Sequence, residues 1–325
     1  MINRSNKISK YLYYSPEQLD DGKLQLFNKK NGKHFKVNKD VILFLKLYFK
    51  NISNVKFMNE NNTIIEYLKK YEIINNNVVR HSFFNLDILD ISPTNMNISK
   101  KSIENINKLF NVLILFTSIV AIVVTIMNLK NLKSHFVFPS GFKTILFYLI
   151  YGYIINVIGT ILHEGSHLIS ALNEDAYVPR IGLKFFYFSF AGFVDVTGIR
   201  FLNRKKLIKV TFAGTKANIL LLSIGIISLC VSQFNDLLFS SMIIISIMTI
   251  VSNMNFFIKL DGYYIIESIL NETYLREKSM NIIYNIHKTK LDSPKKLSLA
   301  LLGIMSIVTS ISTVMLFISI IIRML

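Results

Sequence analysis

Long apolar runs punctuate the chain at 112–127, 145–162, 217–234, 237–251 and 297–322, and none contains Asp, Glu, Lys or Arg. Most are long enough to cross the roughly 30 Å of hydrocarbon in a bilayer. The pattern therefore predicts an α-helical polytopic membrane protein with about five transmembrane helices. Upstream the pattern is different. Leu24, Leu26, Phe35 and Val37 flank Asn31-Gly32, the arrangement of a β-hairpin. Asn38 and Asp40 then open an apolar-rich helix through Val41, Ile42, Phe44, Leu45, Tyr48 and Phe49, and either can cap its free N–H groups. Ile64, Ile65 and Leu68 mark a second, weaker helix. The stretch 51–62 reads as polar turn, and 75–101 as an irregular connection to the first span. A hairpin followed by short helices predicts a small α+β, winged-helix-like domain. Residues 1–100 are this domain with its linker, and 101–325 are the membrane domain.

Composition reinforces the division. With 51% hydrophobic residues and a mean hydropathy of +0.42, the 325-residue chain is too apolar for one soluble domain. The first apolar run begins only at Val112, which is not the pattern of a secretory signal peptide, so residues 1–100 are expected in the cytosol. Net charge is +17, from 37 Lys and Arg against 20 Asp and Glu. Basic residues gather in the cytoplasmic loops of multi-span proteins, and that cause is preferred here over nucleic-acid binding. The segment 172–209 carries Arg180, Lys184, Arg200, Arg204, Lys205, Lys206 and Lys209, and 253–296 is also basic, so both are assigned to the cytoplasm. The turn 233–236 has no basic residue and is assigned outside. The loop 130–143, with three lysines, must then also face out, a mild conflict. Five spans with the N-terminus inside fit best, and a re-entrant piece near Asp261 would raise the apparent count. The single cysteine, Cys230, excludes an internal disulfide and a Cys-rich metal site.

The chemical signal stands at the end of the second run, in Ile161-Leu162-His163-Glu164-Gly165-Ser166-His167-Leu168. On a helix, residues four apart share a face, so both imidazoles can bind one zinc ion. Glu164 is then placed to take a proton from water, as in the H-E-x-x-H pattern. The competing structural reading is a pair of histidines reaching the membrane interface. A catalytic zinc needs a third protein ligand. Asp261, in Lys259-Leu260-Asp261-Gly262, is the favoured candidate; Asp195, in Phe193-Val194-Asp195-Val196, is the alternative ligand or a structural residue. Glu174 and Asp175 follow closely and fall in the exposed end of the same helix or its exit.

These residues resemble the site-2 protease family of intramembrane zinc metalloproteases. In that family a later span carries Asn-x-x-Pro-x-x-x-Leu-Asp-Gly; here Asn253, Leu260, Asp261 and Gly262 are in register and Phe256 replaces the proline. A third family pattern, Ala-Gly-Pro-x-x-Asn, reads Ala213-Gly214-Thr215-Lys216-Ala217-Asn218, again without its proline. The stretch 178–218 more closely resembles the peptide zinc metalloprotease subgroup, found with ribosomally made, modified peptides and their exporters. Residues 10–76 look like the PqqD-like, leader-binding module that its members carry. The segment after His167 is too short for the PDZ domain of the envelope-stress members.

The resemblance implies a zinc metalloendopeptidase, with zinc on His163, His167 and Asp261 and Glu164 as general base and acid. Asn218 and Asn253 could hold an extended substrate backbone, or simply bond helix to helix. Lys216 reaches toward headgroups, and Asp195 orders the segment 182–199. The lysines Lys29, Lys30, Lys33 and Lys36 on the hairpin could attract an acidic leader peptide or form a solvated face. The expected substrate is a small ribosomally made precursor peptide, with the bilayer and a peptide exporter or modifying enzyme as further partners. Alternatives are a regulatory protease cutting a single-span membrane-anchored transcription regulator, and a non-catalytic immunity or transport partner.

Overall fold

The computed structural model describes residues 6–9, 12–18, 22–28, 33–74, 85–91, 93, 99–135, 142–186, 189–196, 198–199, 202–233, 237–270, 275–285 and 293–324. They fall into two units, Met1–Ser246 and Ile247–Leu325. In the first, the alternating residues of 24–37 form the expected hairpin. Strands β1 (Asn6–Lys7), β2 (Leu12–Gln18), β3 (Leu24–Asn28) and β4 (Lys33–Val37) make an antiparallel meander in that order. Across the β3–β4 ladder Leu24 faces Val37 and Leu26 faces Phe35, so residues that alternate in sequence share one face of the sheet. Helix α1 (Lys39–Lys50) covers that face with Ile42 and Leu45, and α3 (Asn62–Lys70) adds Leu68. The Asn31-Gly32 turn lies outside the described residues, as do Lys29 and Lys30.

Local expectations change at several points. Asn38 stands at the N-cap of α1 without a side-chain bond to the helix; Asp40 lies in its first turn, where a negative charge suits the helix dipole. The polar stretch 51–62 contains a short helix, α2 (Val55–Glu60), because Asn54 accepts a hydrogen bond from the Phe57 N–H and starts it. On α3, Ile65 and Leu68 are buried while Ile64 points outward.

The larger change is β5 (Asn85–Ile91), inside the segment read as an irregular connection. It pairs antiparallel with β6 (Ile181–Phe186), which pairs with β7 (Ser189–Val194), giving a second sheet of order β5-β6-β7. A register shift between Asp87 and Leu89 breaks the two-residue period there, which hides the strand from pattern reading.

Helices α4 (Lys100–Met127), α6 (Phe142–Asn173) and α7 (Arg204–Val231) pack on one another, with the short α5 (Leu129–His135) between the first two in sequence. All three are long and apolar enough to cross a membrane. They differ in their surroundings. Half of the apolar stretch of α7 is buried among its neighbours, whereas little of α4's is, with Leu109, Phe116 and Ile126 at 70%, 65% and 71% exposure. A continuous outward apolar face of this kind is costly in water and suits lipid. Of the other two expected spans, α8 (Leu237–Asn253) has 17 residues, and α11 (Pro294–Met324) carries the last apolar run.

In the second unit, α8 ends, α9 (Asp261–Leu270) and α10 (Leu275–Tyr284) follow, and α10 packs on α11. The free N–H groups at the start of α10 are taken by α9. Glu267 accepts from the Leu275 N–H at 3.0 Å and the Tyr263 hydroxyl from the Arg276 N–H at 2.9 Å.

Candidate metal centre

His163, Glu164 and His167 all lie on α6, and both histidines are buried, at 8% and 4% exposure. Their four-residue spacing stacks them one turn apart on the face that meets α7. That helix answers with its own period. Val210, Gly214 and Asn218 recur every four residues along one face. His167 Nδ1 lies 2.8 Å from the Val210 carbonyl oxygen, and His163 Nδ1 lies 3.1 Å from the Asn218 amide nitrogen, Nδ2. Between them Gly214 leaves the rings their space: a Cβ there would come within 2.4 Å of His163 Cε1 and 2.5 Å of each Nε2.

The bond to Val210 fixes the chemistry of the His167 ring. A carbonyl only accepts, so His167 Nδ1 carries the proton and Nε2 presents a lone pair. That lone pair points at the other ring, with the two Nε2 atoms 3.2 Å apart and the ring planes at 82°. Metal-ligating histidines are commonly held in this way, the remote nitrogen anchored and the near one directed at the ion. Glu164, adjacent to His163, accepts a hydrogen bond at Oε2 from the Val194 N–H at 3.1 Å, which ties its carboxylate to β7.

Asp261 opens α9, and the residue after it explains the Leu-Asp-Gly sequence. A Cβ on Gly262 would meet the Met254 carbonyl carbon and oxygen at 2.6 Å, so only glycine lets this helix start so close to the end of α8. Asn253 is the last residue of α8, half-buried, and Asn255 shapes the following turn by accepting from the Phe257 N–H at 2.9 Å. Among the described residues, His163 and His167 of the first unit and Asp261 of the second could each offer one ligand atom to a metal ion.

The other candidates have different surroundings. Asp195 contacts His34 at 3.2 Å and Arg180 at 3.6 Å. Asn218, read from sequence as substrate-binding or as a helix-to-helix bond, is buried against His163. Lys216 donates to Asn111 Oδ1 at 2.8 Å, joining α7 to α4 rather than reaching for headgroups. Lys33 pairs with Glu72, and Cys230 is a free thiol on α7. Pattern reading missed the Val210 carbonyl, the Val194 N–H and His34; the first two are backbone groups without a sequence signal. A scan of family models, a search of curated proteins and a search of solved structures each find no match to this chain.

Proposed function

We propose that the chain is a membrane-embedded, zinc-dependent endopeptidase that cuts a small ribosomally made precursor peptide. The observation that carries the reading is the anchoring of both α6 histidines through Nδ1, with their Nε2 atoms turned to one another. Two imidazole nitrogens and the Asp261 carboxylate make a donor set that suits zinc. At His163 the Asn218 carboxamide, placed with its nitrogen toward Nδ1, takes the same role once turned so that its oxygen faces Nδ1–H, which leaves Nε2 as the ligand atom. The two ends of a carboxamide exchange by a half-turn.

When bound, zinc supplies Lewis acidity that polarises the scissile carbonyl and makes water easier to deprotonate. The chain's own residues do the rest. Glu164 takes the proton from the attacking water and passes it to the leaving amine, and the Val194 N–H keeps one carboxylate oxygen from swinging. The surrounding α6–α7 contact excludes bulk water. A helix hides its amides and carbonyls, so the peptide must be extended where it is cut, and addition to a strand edge is one way to hold it so. The N-terminal sheet and helices are proposed to capture the precursor's leader.

The test is mass spectrometry of peptides and membrane fragments from cells carrying the natural chain or Glu164→Ala. The expected result is a short, uncut precursor that accumulates in the variant, with turnover lowered about a thousandfold. An intact single-span protein accumulating instead would make the chain a regulatory protease. Identical peptides in both strains would remove the enzyme reading and leave an immunity or transport partner.

A further inference from the structure

The N-terminal sheet meets the β6–β7 hairpin at a buried polar point that the proposed chemistry does not use. His34, on β4, places Nε2 3.2 Å from Oδ1 of Asp195, the residue that follows β7. Arg180, just before β6, approaches Oδ2 of the same carboxylate at 3.6 Å. The side chains of His34 and Asp195 are 2% and 8% exposed. Phe27 on β3 packs its ring 4.7 Å from that of His34. Gly198 keeps the seam tight, since a Cβ there would come within 2.6 Å of Gln25 Oε1 and 2.8 Å of the Tyr177 carbonyl oxygen.

The seam is one residue from the proposed base. Asp195 donates its N–H to the Arg180 carbonyl at 2.9 Å, which closes the open end of the hairpin. Alternation along a strand turns the preceding N–H the opposite way. There Val194 donates to Glu164 Oε2 at 3.1 Å. Two consecutive residues therefore carry the N-terminal domain on one side and the carboxylate of Glu164 on the other. A domain on a loose tether has no use for such a contact. Burying a histidine against a carboxylate costs desolvation, and the pair in return fixes one arrangement of the two sheets.

We propose that His34 is a positioning residue for Glu164: through Asp195 it seats the N-terminal sheet on the end of β7 and so holds the Val194 N–H on the base. The inference rests on the endopeptidase reading for its catalytic half. Its mechanical half stands on the contacts alone. Occupancy of the N-terminal domain by a peptide would then be felt at Glu164 without any peptide reaching α6.

The test uses the full chain in lipid with His34→Ala, His34→Gln and Glu164→Ala, and reads amide hydrogen exchange over 190–196, zinc content and peptide cleavage. His34→Ala is expected to speed exchange of the Val194 amide roughly tenfold, as for the loss of one hydrogen bond. It should keep its zinc and lose about tenfold in kcat with KM unchanged, the signature of a displaced reacting group. His34→Gln, whose side-chain amide can still donate to Asp195, should restore both. Glu164→Ala, lacking the acceptor, should raise Val194 exchange in the same way. Unchanged exchange in His34→Ala overturns the proposal, and so does faster exchange with unchanged kcat. Full cleavage by Glu164→Ala would overturn Glu164 as the base, and the catalytic half of the proposal with it; that failure is told apart because the exchange of His34→Ala is read without any cleavage.

Discussion

Two buried polar sites in the first unit use histidine in opposite ways. On α6, Nδ1 of each ring meets a neutral partner, a backbone carbonyl or a carboxamide, and Nε2 turns toward the neighbouring ring. At the seam between the sheets, His34 gives Nε2 to a carboxylate, and its buried Nδ1 has no hydrogen-bond partner among the described residues. Burial is the same in kind, so burial does not separate the two roles. The partner does. A neutral anchor on the far nitrogen aims the near one outward as a ligand, whereas a carboxylate on the near nitrogen ends its use in a clasp. Helix geometry underlies the first arrangement, since a four-residue period on α6 meets a four-residue period on α7. The second joins a strand of the N-terminal sheet to the end of a hairpin.

That contrast can be broken from either side. The largest effect is expected for Gly214→Ala, whose methyl would fall 2.4–2.5 Å from atoms of both α6 rings. The protein should purify with almost no zinc by elemental analysis, while amide exchange over 190–196 stays that of the natural chain. Asp195→Ala should do the reverse. It leaves the buried His34 and the half-buried Arg180 without their carboxylate and should cost about 3 kcal/mol in unfolding free energy, measured by denaturation in detergent, with zinc retained. The smallest effect is expected for Asn218→Ala, which removes the anchor of His163 but no ligand. Zinc affinity should fall about tenfold to a hundredfold in a competition titration against a chelator. Zinc binding that survives Gly214→Ala would erase the distinction between the two sites.

The same contrast explains what was legible in the sequence. His163 and His167 declare their site because both sit on one helix, where spacing in sequence is position in space. Asp261 and Gly262 are legible for a related reason: the glycine answers a backbone contact with Met254, only a few residues upstream. The hairpin 24–37 also followed from local alternation, as did the buried stripe of α1. Nothing local marks the seam. His34 and Asp195 are 161 residues apart, and a histidine in a strand has no period to give it away. β5 stayed hidden because its bulge breaks the alternation, and α2 because its asparagines, turn formers elsewhere, here cap a helix. The three helices long and apolar enough to cross a membrane were visible as charge-free runs, but α7 begins at Arg204, well before the run that marks it. Its first half carries Val210 and Gly214, buried groups that meet the histidines, amid a sequence too polar to be read as a span.

The central claim is that α6 holds zinc through two imidazoles completed by Asp261. X-ray absorption at the zinc edge, on the full chain purified in lipid from zinc-supplied cells, tests it most directly. The account predicts one zinc per chain, with two imidazole nitrogens and carboxylate oxygen at about 2.0–2.1 Å, and loss of the metal in His167→Ala. A chain that purifies without zinc, or one whose zinc spectrum is unchanged by His163→Ala and His167→Ala, would contradict it.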